Sequence, residues 1–235
     1  MKKLLLISSF LVYLNAYQDK LESRTDLSIV KTAGNSDSTT FSAKTKIEQT
    51  VNIDKYILKS SFLYAKDGNK EKSNRSNING RWDREIIEKL FGFAESKYIL
   101  DKFSGYDYRL NIGPGVGFNL INENEQLLDL LISLPYSQDK YKIPSIKENY
   151  IGYKTELDYE YKIYDNVKFK QNADFLQSIK ESSKYFISSE SGFEIKINDM
   201  LALGISFKYD YQNQVLLQSI NKRDTTYLTS LIITY

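Results

Sequence analysis

Apolar and polar side chains alternate with a period of two over most of this chain. That confines it to β-structure, where successive residues point to opposite faces. Residues 150–162 show the pattern most clearly. Ile151, Tyr153, Thr155, Leu157, Tyr159 and Tyr161 fall on one face, against Gly152, Lys154, Glu156, Asp158, Glu160 and Lys162 on the other. One face is apolar and aromatic, and the other is almost wholly charged. Elsewhere Phe41, Ala43, Ile47 and Val51 oppose Lys44, Lys46 and Glu48. Leu110, Ile112, Val116, Phe118 and Leu120 oppose Arg109, Asn111 and three glycines. Val167, Phe169, Ala173 and Phe175 oppose Lys168, Lys170, Asn172 and Asp174, and Leu203, Ile205, Phe207 and Tyr209 oppose Gly204, Ser206, Lys208 and Asp210.

The pattern predicts about twelve strands, near residues 25–31, 39–51, 55–66, 74–85, 90–101, 106–120, 127–135, 150–163, 167–178, 184–197, 201–211 and 225–235. The parity of 90–101 is undecided, and a short helical turn is expected at 85–89. Short connections at 52–54, 123–124, 164–166 and 198–199 interleave with longer polar loops at 67–73, 136–149 and 213–224. Transmembrane barrels have this asymmetry, with short turns at one end and longer loops at the other. Several runs exceed the usual ~5–6 residues of soluble strands and match a tilted membrane strand. Tyr56, Tyr64, Tyr153, Tyr161, Tyr209 and Tyr211 recur at strand ends, where interface girdles form. Alternation also fits a soluble barrel or sandwich with the faces reversed.

The two chain ends favour export and membrane insertion. Lys2 and Lys3 precede an apolar run over 4–14, and Ala16 closes it, the order of a signal peptide cleaved after Ala16. The expected division is a signal peptide over 1–16 and a barrel over 17–235. No later stretch has the ~18 apolar residues of a membrane helix, which leaves a closed barrel as the way to span a bilayer. At the other end Tyr227, Thr229, Leu231, Ile233 and Tyr235 share one face. This resembles the terminal signature by which the barrel assembly machinery recognises its substrates. Tyr227, Leu231, Ile233 and Tyr235 are its candidate residues.

Two further segments are familiar. One is Gly34-Asn35-Ser36-Asp37-Ser38-Thr39-Thr40; the other runs from Asp101 through Gly105, Tyr106, Tyr108 and Arg109 into the strand holding Gly113, Gly115 and Gly117. Together they resemble the YdiY-like family of salt- or acid-induced outer-membrane proteins, itself of unknown function. The resemblance spans residues 27–235. It implies an all-β, antiparallel up-and-down transmembrane barrel in the cell outer membrane, with surrounding lipid as its partner. It implies no activity.

Composition removes several chemistries. The chain has no His and no Cys, so a Ser-His-Asp or Cys-His nucleophile and a His- or Cys-ligated metal site are out of reach. Removing Lys2 and Lys3 leaves thirty basic residues against thirty acidic ones, which gives nucleic acid no basic surface. Gly113-Pro114-Gly115-Val116-Gly117 lacks the Lys-Ser/Thr pair and the helix of a phosphate loop. Its glycines read instead as inward positions that leave room in the lumen or admit a neighbour. Glu156, Asp158 and Glu160 are spaced ~6.5–7 Å along a strand, as paired carboxylates of a glycosidase are. Lys154 and Lys162 flank them, so a ladder of ion pairs is the better reading.

The candidate site is therefore the charged face itself. Its lumen-lining set is Lys44, Lys46, Glu48, Arg75, Arg81, Asp83, Arg109, Lys154, Glu156, Asp158, Glu160, Lys168, Lys170, Asp174, Lys208 and Asp210. Hydrated, these groups make a narrow mixed-charge channel for ions or small polar solutes; tightly paired, they close the barrel and leave it structural. A non-enzymatic outer-membrane protein without a cofactor is expected, in a structural or envelope-stress role.

Overall fold

The computed structural model describes residues 21–32, 38–215 and 220–235. The expected signal peptide over 1–16 and positions 34–37 of the first familiar segment lie outside the described residues. The strands are β1 (Leu21–Thr32), β2 (Ser38–Val51), β3 (Asp54–Asp67), β4 (Lys70–Ile87), β5 (Leu90–Asp101), β6 (Tyr106–Asn122) and β7 (Gln126–Ser133). They continue as β8 (Tyr136–Tyr141), β9 (Lys147–Tyr164), β10 (Val167–Ser178), β11 (Tyr185–Lys196), β12 (Leu201–Gln212) and β13 (Arg223–Thr234). Both β7 and β8 pair with β6 on one side and β9 on the other, so they are two halves of one stave. The wall thus has twelve antiparallel staves in sequence order. It closes where β13 returns to β1, and Ser23 and Tyr235 exchange backbone hydrogen bonds of 3.0 and 2.9 Å. Closure leaves no unpaired sheet edge, the condition for strands to cross a bilayer.

The apolar face points out. Ile29, Ile205 and Ile151 are 72, 59 and 56% exposed, while Lys154 and Glu156 are buried. A soluble barrel or sandwich would show the reverse, so that alternative is excluded. Outward aromatic rings touch in a chain across neighbouring staves, with Tyr153–Phe175, Phe175–Tyr185 and Tyr185–Tyr211 centroids 5.8–5.9 Å apart. Both described termini lie at one end, with turns at 52–53, 88–89, 123–125, 165–166 and 197–200. The opposite end, here the loop end, carries connections at 102–105, 142–146, 179–184 and 213–222.

Three local expectations are corrected. Residues 136–149, expected as a polar loop, are β8, a turn and the start of β9. Alternation runs straight through the β7–β8 break: Leu131, Ser133, Pro135, Ser137, Asp139 and Tyr141 are buried, and Ile132, Leu134 and Tyr136 are exposed. Polar character misled here because half of these residues face a polar interior. Pro135 has no N–H to donate, yet its carbonyl accepts from Gly152 N–H at 2.9 Å. Gly113 makes the space, since a Cβ there would lie 2.6 Å from Pro135 Cα. The helical turn expected at 85–89 is strand through Ile87 followed by a two-residue turn. The loop expected at 67–73 contracts to Gly68-Asn69, where Gly68 takes a φ of 56° open to glycine at little cost.

The undecided parity of β5 resolves with Phe91, Phe93 and Glu95 inward. A Cβ on Gly115 or Gly117 would fall 2.3 or 2.1 Å from the Phe93 or Phe91 ring. Of the two uses foreseen for these glycines, admitting a neighbour is the one realised: β5 packs its rings into the space they leave.

Candidate functional site

Each strand offers its charges at alternate positions, and the closed wall sets which of them meet. Several ion pairs cross the interior between distant staves. Lys44 on β2 pairs with Glu190 on β11, four staves away around the ring. Arg75 on β4 reaches Asp210 on β12 at 2.5 Å, five staves away, and Asp224 on β13 at 3.1 Å, as well as Asp101 at 2.6 Å on adjacent β5. Lys154 on β9 holds both Glu95 on β5 and Glu156 on its own strand at 2.8 Å. Lys97 approaches Asp174 across the barrel at 3.8 Å.

Apart from Arg24–Glu194, which joins staves three apart, the charges named next pair along the wall. Glu160 receives Lys168 at 2.6 Å and Lys170 at 3.3 Å, and Lys170 also meets Glu194 at 3.0 Å. Glu194 in turn takes Arg24 from β1 at 2.5 Å. Lys46 and Lys55 share Glu48 at 2.8 and 3.0 Å, Arg81 holds Asp83 at 2.8 Å, and Lys208 holds Asp210 at 3.1 Å. Asp158 accepts a hydrogen bond from Asn172. Lys162 does not join the ladder; it turns to Asp165 in the adjoining turn at 2.7 Å.

Near the loop end the interior is packed. The Arg109 guanidinium lies 3.4 Å from the Phe186 ring centre and 3.2 Å from Asp139. Lys184, from the β10–β11 connection, reaches Asp139 and Glu148 at 2.8 Å each and lies 4.3 Å from the Tyr150 ring centre. Lys184 and Asp139 side chains are both 0% exposed. Burial works against the Lys184 charge, but the Asp139 and Glu148 carboxylates outweigh it and hold its pKa above the ordinary lysine value. Tyr106, Tyr141, Leu176 and Phe186 complete the cluster. Beside it lies a cavity of about 130 Å³, lined by Arg75, Lys97, Asp101, Arg109, Asp210 and Lys222 among others.

Sequence reasoning missed Arg24, Lys55, Glu95, Lys97, Asp101, Asp139, Glu148, Lys184, Glu190, Glu194 and Asp224. Glu190, Gly192 and Glu194 alternate with Ser191 and Phe193, a signal that was present. Glu95 was hidden by the undecided parity of its strand, and Asp139 by the loop assignment. Nothing local marks Lys184. Along β13 and its end, Tyr227, nearer the loop end, and Tyr235, at the terminal end, stand 74 and 71% exposed on the outer face. The Tyr227 ring packs 4.8 Å from that of Phe207, and Leu231 shares the outer face. Ile233 pairs with Thr25 of β1 and Leu201 of β12.

Over residues 25–235 the chain matches the family described as "Protein of unknown function, DUF481". The chain belongs to this family. The YdiY-like resemblance is consistent with it. Among solved structures, a NanC porin shares the fold at a TM-score of 0.51 and 10% identity, covering 92% of this chain and 98% of the porin. A KdgM porin aligns at 0.47 and 9% identity, covering 92% and 99% of the two chains. The translocator domain of the autotransporter NalP from Neisseria meningitidis aligns at 0.47 and 8%, covering 97% and 92%. No curated protein matches by sequence. This DUF481 chain is therefore an outer-membrane-type β-barrel.

Proposed function

We propose that this DUF481 protein sits in the outer membrane with its loop end outward, as a structural barrel whose interior is shut at rest by ion pairs. The observation that carries the reading is the set of pairs spanning opposite walls, from Lys44 to Glu190 and from Arg75 to Asp210. Twelve staves stand between the filled eight-stranded barrel and the open porin in width, so side chains alone can bridge the interior. Where the pairs are buried, as Lys154 is with Glu95 and Glu156, breaking one partner leaves an uncompensated charge, which favours closure. Glu156 and Glu160 are engaged by lysines, which supports a non-enzymatic role over carboxylate catalysis. The family resemblance adds an envelope-stress setting.

A second reading, a narrow channel for ions or small polar solutes, draws on one observation. Lys46, Lys168 and Lys170 remain 41, 43 and 36% exposed, so part of the interior is wet. Planar-bilayer conductance of the refolded protein separates the two. A silent membrane at neutral pH is the expected result, and stable unitary steps would replace the structural reading with the channel. Cell fractionation tests the location separately: recovery as a soluble periplasmic monomer would remove the membrane placement.

A further inference from the structure

The outer face of the β8–β9 hairpin changes character stepwise toward the loop end. Tyr136 opposes Ile151, both exposed; next, Gln138 opposes Asn149 and donates to it at 3.0 Å. Last, Lys140 stands directly opposite Lys147. This order, apolar to amide to cation, matches a path from the hydrocarbon of a bilayer to its headgroups. Two like charges directly opposite on one face of a sheet repel, so the pair calls for an anion between them.

Among the described residues no carboxylate pairs with either lysine, exposed Asp107 at the β6 bulge beside Lys140 included. The acids flanking the pair, Asp139 and Glu148, have the opposite parity and are spent on Arg109 and Lys184. Among the described residues Lys140 meets only the Ser145 hydroxyl, at 2.5 Å, and that hydroxyl keeps a proton to donate. Lys142 donates to the Asp101 and Lys102 carbonyls, pinning the hairpin to the neighbouring turn. The ends of the barrel are also unequal. Among the described residues, loop-end connections carry Lys102, Lys142, Lys180, Lys184 and Lys222 against Glu181. The terminal-end turns carry Lys89 against Glu88, Glu123, Glu125, Asp165 and Asp199.

We infer that Lys140 and Lys147, with Ser145, bind the phosphate of a lipid headgroup in the leaflet that meets the loop end. The inference rests on the membrane placement proposed above. Lysine serves phosphate as a compact point charge, and two of them with a hydroxyl suit its three oxygens. The site is on the outer face, separated by the Gln138–Asn149 row from exposed Tyr136 and Ile151, on which the acyl chains of a lipid held at the lysines can pack, so the occupant is a phosphorylated lipid rather than free phosphate.

The test uses the refolded full chain in octyl glucoside micelles carrying phosphatidic acid, or diacylglycerol as its phosphate-free match. The readout is the temperature at which the folded, fast-migrating gel band is lost, because a ligand of the folded state raises it. Phosphatidic acid is expected to raise that temperature, diacylglycerol is not, and high salt should erase the difference. K140Q/K147Q should still show the folded band, and its half-saturating phosphatidic acid should rise about tenfold or more. K162Q/K196Q, at the terminal end, should respond as wild type does. Equal protection by diacylglycerol, or an unchanged response in K140Q/K147Q, would overturn the inference. Equal protection by inorganic phosphate would make this an anion site without lipid preference and would also overturn it. The assay needs neither a cellular location nor a conducting lumen, so failure of either reading above leaves its outcome interpretable.

Discussion

At the scale of single residues, what a charge costs depends on which side of the wall it stands. Leu157 lies on the outer face between Leu130 and Ala173, and its neighbour Glu156 faces inward against Lys154. Leu157→Arg should lower stability by about 2–4 kcal/mol, the cost of a cation at the bilayer midplane. Glu156→Gln should leave the barrel folded, because Glu95 still neutralises Lys154. Denaturant unfolding of both variants in lipid checks this, and the opposite order of damage would mean inverted faces. Lys184 gives a pH prediction. Its pKa is raised in the folded state, so its contribution is complete below the ordinary lysine value and fades as pH climbs through the higher folded one. Limited proteolysis at 179–184 should therefore begin only above pH ~10.5 in the wild type. Lys184→Met should show it at neutral pH, with a local loss of about 3 kcal/mol, kept at the lower end because Arg109 still partners Asp139.

At the scale of elements, β13 has two duties: it closes the ring against β1, and it ends on an exposed Tyr235. Tyr235→Asp keeps the backbone bonds to Ser23. A charge near the interface costs only about 0–1 kcal/mol, less for Asp than for Lys or Arg. The refolded variant should accordingly match wild-type stability in vitro while its yield in the outer membrane falls severalfold. Equal yields on quantitative immunoblots of membrane fractions would remove the assembly role of the C-terminal face. The stave made of β7 and β8 shows the same economy: Gly113 yields space, Pro135 forgoes a donor, and the alternation continues across the gap.

At the scale of the whole molecule, the cross-wall pairs are expected to hold the interior shut. Arg75→Gln would leave Asp101, Asp210 and Asp224 converging on an uncharged group. Lys208 still holds Asp210, but repulsion between Asp101 and Asp224 should loosen the loop end, and the variant should show cation-selective openings in planar bilayers where the wild type stays silent. A variant as silent as the wild type would place the closure elsewhere, in the cluster around Arg109 and Lys184.

Much of this architecture is written in the order of residues, because a strand's two faces are a local property. The period of two marked most of the strands and, outside β5 and β8, their two faces, whereas of the longer loops expected, 67–73 and 136–149 contract to two and five residues. That period also implied that Lys154 and Leu157 must stand on opposite sides, although not which side was in. The long-range partners were not legible. Lys44 meets Glu190, and Lys184 reaches Asp139, only because a sheet of twelve staves curves shut and brings distant strands within side-chain reach. The fit of Phe91 and Phe93 over Gly117 and Gly115 likewise depends on strand register, which hydrogen-bond pairing across the wall decides and no single strand encodes.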